Sequence, residues 1–161
     1  MRLFVAIVAS AVLATPAWAQ AQLSSADRAA AFRAAGFRQV GGQWRSCDAP
    51  QGSVYEPGKI ELVQDLNGDG RPEAIITEGS SFCYGGDEVG FSLVSKGAGA
   101  SWTRILSSAG IARVLKTRGA NGWPDLEIGG QGFCFPVQRW NGTEYRTIRF
   151  QYEGKPCKPP R

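Results

Sequence analysis

A segment of this chain occurs twice. Gly79-Ser80-Ser81-Phe82-Cys83-Tyr84 returns as Gly130-Gln131-Gly132-Phe133-Cys134-Phe135. Just upstream, Pro72-Glu73-Ala74-Ile75-Ile76 returns as Pro124-Asp125-Leu126-Glu127-Ile128. The offset of 51 to 52 residues is close to one blade of a β-propeller. Two copies are too few to close a ring, which typically takes about four blades or more. The expectation is a mainly β (α+β) chain: two pseudo-repeated antiparallel units, about 60–106 and 112–150, packed together.

Local patterns agree with that reading. Lys59-Ile60-Glu61-Leu62 alternates as a half-buried strand does, and Ala74-Ile75-Ile76-Thr77 is short and β-branched. Phe91 to Val94, Trp102 to Leu106, Phe135 to Trp140 and Tyr145 to Phe150 read the same way, with a hairpin signal at Asn141-Gly142 between the last two. Arg113 to Thr117 fits helix and strand equally. One short N-terminal helix is predicted over 25–35. Ser24 caps it, Asp27 sits at the positive end of its dipole, and Gly36 ends it so that Phe37 folds back on Phe32.

The first nineteen residues read as a signal peptide: a basic start at Arg2, an apolar run from Leu3 to Leu13, then Ala17-Trp18-Ala19 as cleavage site. The run is shorter than the roughly 20 apolar residues that span a bilayer, so no membrane span is expected after cleavage. What remains, 20–161, is expected to form one domain in the periplasm or outside the cell. Its four cysteines read as two disulfides, and four cysteines allow three pairings. Cys83 and Cys134 occupy matching places in the repeat, which points to Cys83–Cys134 and leaves Cys47–Cys157. The chain contains no histidine, which excludes Ser-His-Asp and Cys-His mechanisms and removes the commonest transition-metal ligand.

The chemistry-bearing segment is Asp65-Leu66-Asn67-Gly68-Asp69-Gly70-Arg71-Pro72-Glu73. Oxygen side chains fall at its first, third, fifth and ninth positions. That spacing suits a hard cation such as Ca²⁺, and without one three carboxylates crowd together. Gly68 and Gly70 permit the positive φ of a tight wrap, and Arg71 would offer its backbone carbonyl while its side chain faces water. An EF-hand is excluded, because its twelfth position here is Ile76 and both flanks read as strands.

The loop resembles the Asp-x-Asp/Asn-x-Asp-Gly-x-x-Asp calcium loops of FG-GAP and VCBS-type repeats, as in integrin α-subunit propellers. The resemblance implies Ca²⁺ held by Asp65, Asn67, Asp69, the Arg71 carbonyl and Glu73. Glu73 departs from the family's Asp, and the Phe-Gly-Gly-Ala-Pro signature is missing. The second copy lacks the loop: Thr117 and Gly119 fall where Asp65 and Asn67 stand in the first, so one metal site is expected. The chain as a whole resembles small exported bacterial proteins.

Other residues carry weaker signals. Asp87-Glu88 reads as a solvated turn. Asp125 and Glu127, two apart on one strand, face the same side. That pair is the basis of an alternative reading as a small carboxylate-dependent glycan hydrolase. Trp123, in a turn before Pro124, is the tryptophan expected to be exposed. With Arg139, Arg146 and Arg149 it makes a candidate partner surface in a basic C-terminal third. A net charge of +4 without a recognised motif does not point to nucleic acid. The function expected is that of an exported calcium-binding, non-enzymatic interaction module whose partner is a protein or a cell-envelope glycan.

Overall fold

The computed structural model describes residues 22–159, so the signal-peptide reading, with Trp18, and the terminal Arg161 lie outside the described residues. The chain is mainly β. A helix, α1 (Ser25–Ala34), is followed by a small hairpin, β1 (Arg38–Val40) and β2 (Gln43–Arg45). Four strands then run as one antiparallel meander: β3 (Glu56–Gln64), β4 (Glu73–Gly79), β5 (Val89–Lys96) and β6 (Trp102–Ala109), with a single-turn helix, α2 (Ser81–Tyr84), between β4 and β5. A second meander follows: β7 (Ile111–Arg118), β8 (Pro124–Gly129), β9 (Phe135–Trp140) and β10 (Tyr145–Tyr152), extended by the two-residue β11 (Lys155–Pro156). The two sequence echoes fall on β4 and β8, the second strand of each meander.

Helix α1 forms as its sequence dictates. The Ser24 side chain accepts the Asp27 N–H, and Gly36 takes a φ of 95° just past the end. Phe37 returns onto Phe32 edge-to-face, with ring centroids 5.5 Å apart. Phe32 also stacks on Trp44 of β2 at 4.7 Å. Both helix ends are tied to the first sheet. Lys96 Nζ and Trp102 Nε1 donate to Asp27 at 2.8 and 3.2 Å, and Arg104 donates to the Ala35 carbonyl at 3.3 Å. The Lys96 and Trp102 hydrogen bonds hold the Asp27 carboxyl below the usual range.

The layers are α1, first sheet, second sheet. On one face of β4, Ala74 and Ile76 join Phe32, Phe37 and Val94 in a core beneath α1. On its other face Ile75 joins Phe91, Leu93, Leu126, Ile128 and Tyr145 between the sheets. Ile60 and Leu62 do not share a face as plain alternation implies. A bulge between them sends Ile60 toward α1 and Leu62 toward the second sheet. The ambiguous Arg113 to Thr117 segment lies in β7, an edge strand whose register shifts between Val114 and Arg118.

The disulfides are Cys47–Cys83 and Cys134–Cys157, which corrects the pairing expected from the repeat. Cys83 and Cys134 do sit in matching loops. Each loop is pinned instead to the segment flanking its own meander: Cys47 just before the first, Cys157 just after the second. The loops themselves meet through Asp87, whose Oδ1 accepts the Gln131 N–H at 2.9 Å. Two disulfides are compatible with an oxidising, exported location. No described helix is long and apolar enough to cross a membrane. Non-reducing peptide mapping is expected to recover Cys47 joined to Cys83 and Cys134 joined to Cys157; a Cys83–Cys134 peptide would contradict this arrangement.

Candidate functional site

The segment joining β3 to β4 wraps tightly on its own backbone. Gly68 and Gly70 both take a φ of 81°, as a turn of this kind demands. Asp65 organises it: Oδ1 accepts the N–H groups of Gly68 and Asp69 at 2.8 and 3.2 Å, and Oδ2 accepts that of Gly70 at 2.9 Å. Asn67 Oδ1 accepts the Asp69 N–H, and Asp69 Oδ1 accepts the Arg71 N–H. The Arg71 side chain does not simply face water. Its guanidinium donates to Asp69 Oδ2 at 2.7 Å and to the Lys96 carbonyl at 3.1 Å.

Glu73 closes the turn from inside. It is 0% exposed. Its Oε2 accepts the Leu66 N–H and its Oε1 the Ser95 hydroxyl, both at 2.7 Å. Burial raises its pKa, the nearby Asp69 and Asp65 charges add to that rise, and the two hydrogen bonds oppose it. Among the described residues no lysine or arginine forms an ion pair with Glu73. Nor do three His, Cys, Asp or Glu side chains among them converge as a ready-made metal cluster. The loop oxygens are turned to backbone N–H groups, although a carboxylate with about four lone-pair positions can accept more than it does here.

The loop also touches the second meander. Leu66 is buried between the sheets, beside Trp123. Arg118 Nη1 donates to the Leu66 carbonyl at 2.6 Å and to the Gly122 carbonyl at 2.5 Å. Gly122 lies so close that a Cβ there would stand 2.4 Å from the Asn67 backbone carbonyl oxygen.

Trp123 is not exposed. It is buried against Trp140 and Tyr145, at centroid distances of 5.6 and 6.3 Å. The turn before Pro124 folds back onto the loop and carries the ring inward, so Trp123 is corrected from partner surface to core. The structure places the three arginines differently from one another. Arg139 donates bidentately to Asp125, at 2.9 and 2.8 Å, and Arg149 reaches the same carboxylate at 3.5 Å. Arg146 is exposed and pairs with Glu144.

Asp125 and Glu127 do share a face, as expected. Both are covered: Asp125 by Arg139, Arg149 and the Thr117 hydroxyl, Glu127 by Arg113 at 3.3 Å and Gln151 at 2.5 Å. Burial pushes the Asp125 carboxyl up, but Arg139, Thr117 and Arg149 together hold it below its ordinary value. It is an anchored anion, not a poised proton donor.

Sequence reasoning missed Glu78. It is 2% exposed and accepts from Ser46 N and Oγ, Cys47 N, Tyr55 and Tyr84. Burial raises its pKa, and these donors more than reverse that. Burial, with Glu78 alongside, pushes the Tyr84 hydroxyl up to about 12. The available signal was an acid standing in an apolar strand, Ala74-Ile75-Ile76-Thr77-Glu78, which implies a private set of donors. Asp87, read as a solvated acid, is half-buried and bridges the two meanders.

Comparison with protein-family models, with curated proteins and with solved structures finds no match to this chain.

Glu78 and Asp125 both titrate below their unfolded values of about 4.3 and 3.9. Their contribution is therefore complete above about pH 4.3 and is lost as pH falls through the lowered folded values. Glu73, with its raised pKa, works in the opposite direction. Urea unfolding at stepped pH is expected to show stability falling below about pH 4, with a shallower fall in Glu78→Gln. Arg139→Met, which leaves Asp125 buried with weaker partners, is expected to lower the urea midpoint, and Asp125→Leu on that background to restore part of the loss.

Proposed function

We propose that this chain is an exported β module that binds Ca²⁺ in the Asp65–Glu73 loop and works by binding, not by catalysis. The observation that carries this reading is Glu73. It is a buried carboxylate beside two further acids, with hydroxyl and amide partners but no basic one among the described residues. Asp125 stands at the matching place in the second copy, where the acidic loop is missing, and it is neutralised by Arg139 and Arg149. Where the second meander uses guanidinium groups, the first has oxygen ligands at calcium spacing. A divalent cation would supply the positive charge there.

By residue type and spacing the segment suits such an ion. Asp65, Asn67 and Asp69 share one glycine-turned loop, and the Arg71 carbonyl and Glu73 would complete an all-oxygen set for a hard cation once their oxygens turn from the N–H groups they now accept. Bound Ca²⁺ would neutralise the carboxylates and favour the folded form. The Arg71 guanidinium is its built-in competitor for Asp69. Because Leu66 and Asn67 contact the second meander, an ordered loop also fastens the two sheets together. Extracellular modules of this class work at micromolar to millimolar calcium, which exported compartments provide. The partner in this reading is a protein or a cell-envelope glycan.

Thermal melts of the oxidised protein in Ca²⁺ and in chelator test the reading. At about 100-fold excess over Kd, the melting point is expected to rise about 5–10 °C. Asp69→Ala is expected to abolish the rise. Arg71→Ala keeps the carbonyl and removes the competitor, so calcium affinity should increase about two- to fivefold. A melting point indifferent to calcium and chelator in all three proteins would end the calcium reading.

A further inference from the structure

Beside the Asp65 loop, Leu66, Trp123 and Tyr145 belong to the core between the sheets. The residues of β4 that face the second sheet beyond Ile75 are Thr77 and Gly79, and β7 answers them with Ala112 and Val114. These side chains are too short to meet. They leave a cleft of about 650 Å³ between β3–β4 and β7. Leu62, Ile75, Ala112 and Val114 make an apolar wall continuous with the inter-sheet core, and Ile111 stands 61% exposed at the rim. That volume falls within the range of sites that enclose small organic ligands.

We propose that this cleft binds an uncharged, predominantly apolar small molecule. Charge on the rim decides the class. The lining holds three acids, Glu56, Glu61 and Glu78, against Lys59 and Arg113, so it disfavours an anion. Lys59 lies 3.0 Å from Glu61, which also accepts from Thr77 at 3.1 Å, and Arg113 lies 3.3 Å from Glu127. An anionic ligand must displace one of these pairs to reach Lys59 or Arg113. Glu78 borders the cleft, but its oxygens are occupied by Ser46, Cys47, Tyr55 and Tyr84. An uncharged ligand leaves every pair intact and covers apolar surface, including Ile111. The site is separate from the Asp65 loop, and its occupancy does not require a cation.

The test is a fluorescence titration of the oxidised protein with the neutral dye N-phenyl-1-naphthylamine, run beside the anionic dye 1-anilinonaphthalene-8-sulfonate. Saturable one-site binding of the neutral dye, at least fivefold tighter than the anionic one, is expected. Val114→Trp fills the cleft and should weaken the neutral dye at least tenfold. Ile111→Asp changes an exposed residue, preserves the melting point, and should weaken it at least threefold; it keeps the test decisive if Val114→Trp does not fold. The proposal is overturned by no saturable binding, by preference for the anionic dye, or by unchanged affinity in a folded variant.

Discussion

Strand β4 sends Ala74 and Ile76 toward α1 and Ile75 toward the second sheet, so both of its faces must be covered by something else in the chain. That requirement arranges the molecule. Neighbouring β5 lies under the same two layers, and Leu93 and Val94 divide between them as Ile75 and Ile76 do. β3 is an edge strand and could not follow this pattern by alternation alone. Its bulge between Ile60 and Leu62 delivers one apolar side chain to each core. The helix is clamped where it is needed, through Asp27 at one end and Arg104 at the other.

The second meander is stacked on the first head to tail. The echo that aligns Pro72-Glu73-Ala74-Ile75-Ile76 with Pro124-Asp125-Leu126-Glu127-Ile128 matches Ile75 to Glu127 and Ala74 to Leu126. Ile75 and Leu126 meet in one core, so the Ile75 face of the first meander packs on the opposite face of the second. Glu127 lies on the face of β8 turned away from the first sheet. There Arg113, Arg139, Arg149 and Gln151 cover the two acids of β8. The two sheets are covered on one side by α1, through Ala31 and Phe32, and on the other by a charged network. The outer strands are blunted as well. β3 carries Pro57 and two register shifts, and β7 carries Arg113, Lys116 and Arg118.

Local features were legible in the sequence because local physics sets them. The helix, its Ser24 cap and its Gly36 stop depend on residues within a few positions of one another, and so do the positive φ values of Gly68 and Gly70. The repeat announced two similar strand units. What it could not announce was how they meet. Matching positions suggested Cys83–Cys134, yet a head-to-tail stack gives its matching loops different surroundings, and each cysteine found a partner in its own flanking segment. Trp123 was misread for a related reason. A turn residue before proline is exposed unless the turn docks on something, and here it docks on a loop some fifty positions earlier in the chain. Glu78 escaped notice because its donors, Ser46, Tyr55 and Tyr84, come from three separate segments.

The buried acids show how this fold treats charge. Glu78 is stabilised by neutral donors in number, Asp125 by guanidinium groups, and Glu127 by one arginine and an amide. Glu73 has two donors and two acidic neighbours; burial first, and then those acids, push its pKa up against the donors. That carboxylate stands at the base of the loop that carries Asp65, Asn67 and Asp69, at the point where Arg118 and Gly122 bring the second meander against it. Burial without a basic neighbour among the described residues sets Glu73 apart from Asp125 and Glu127, whose carboxylates are paired with arginines.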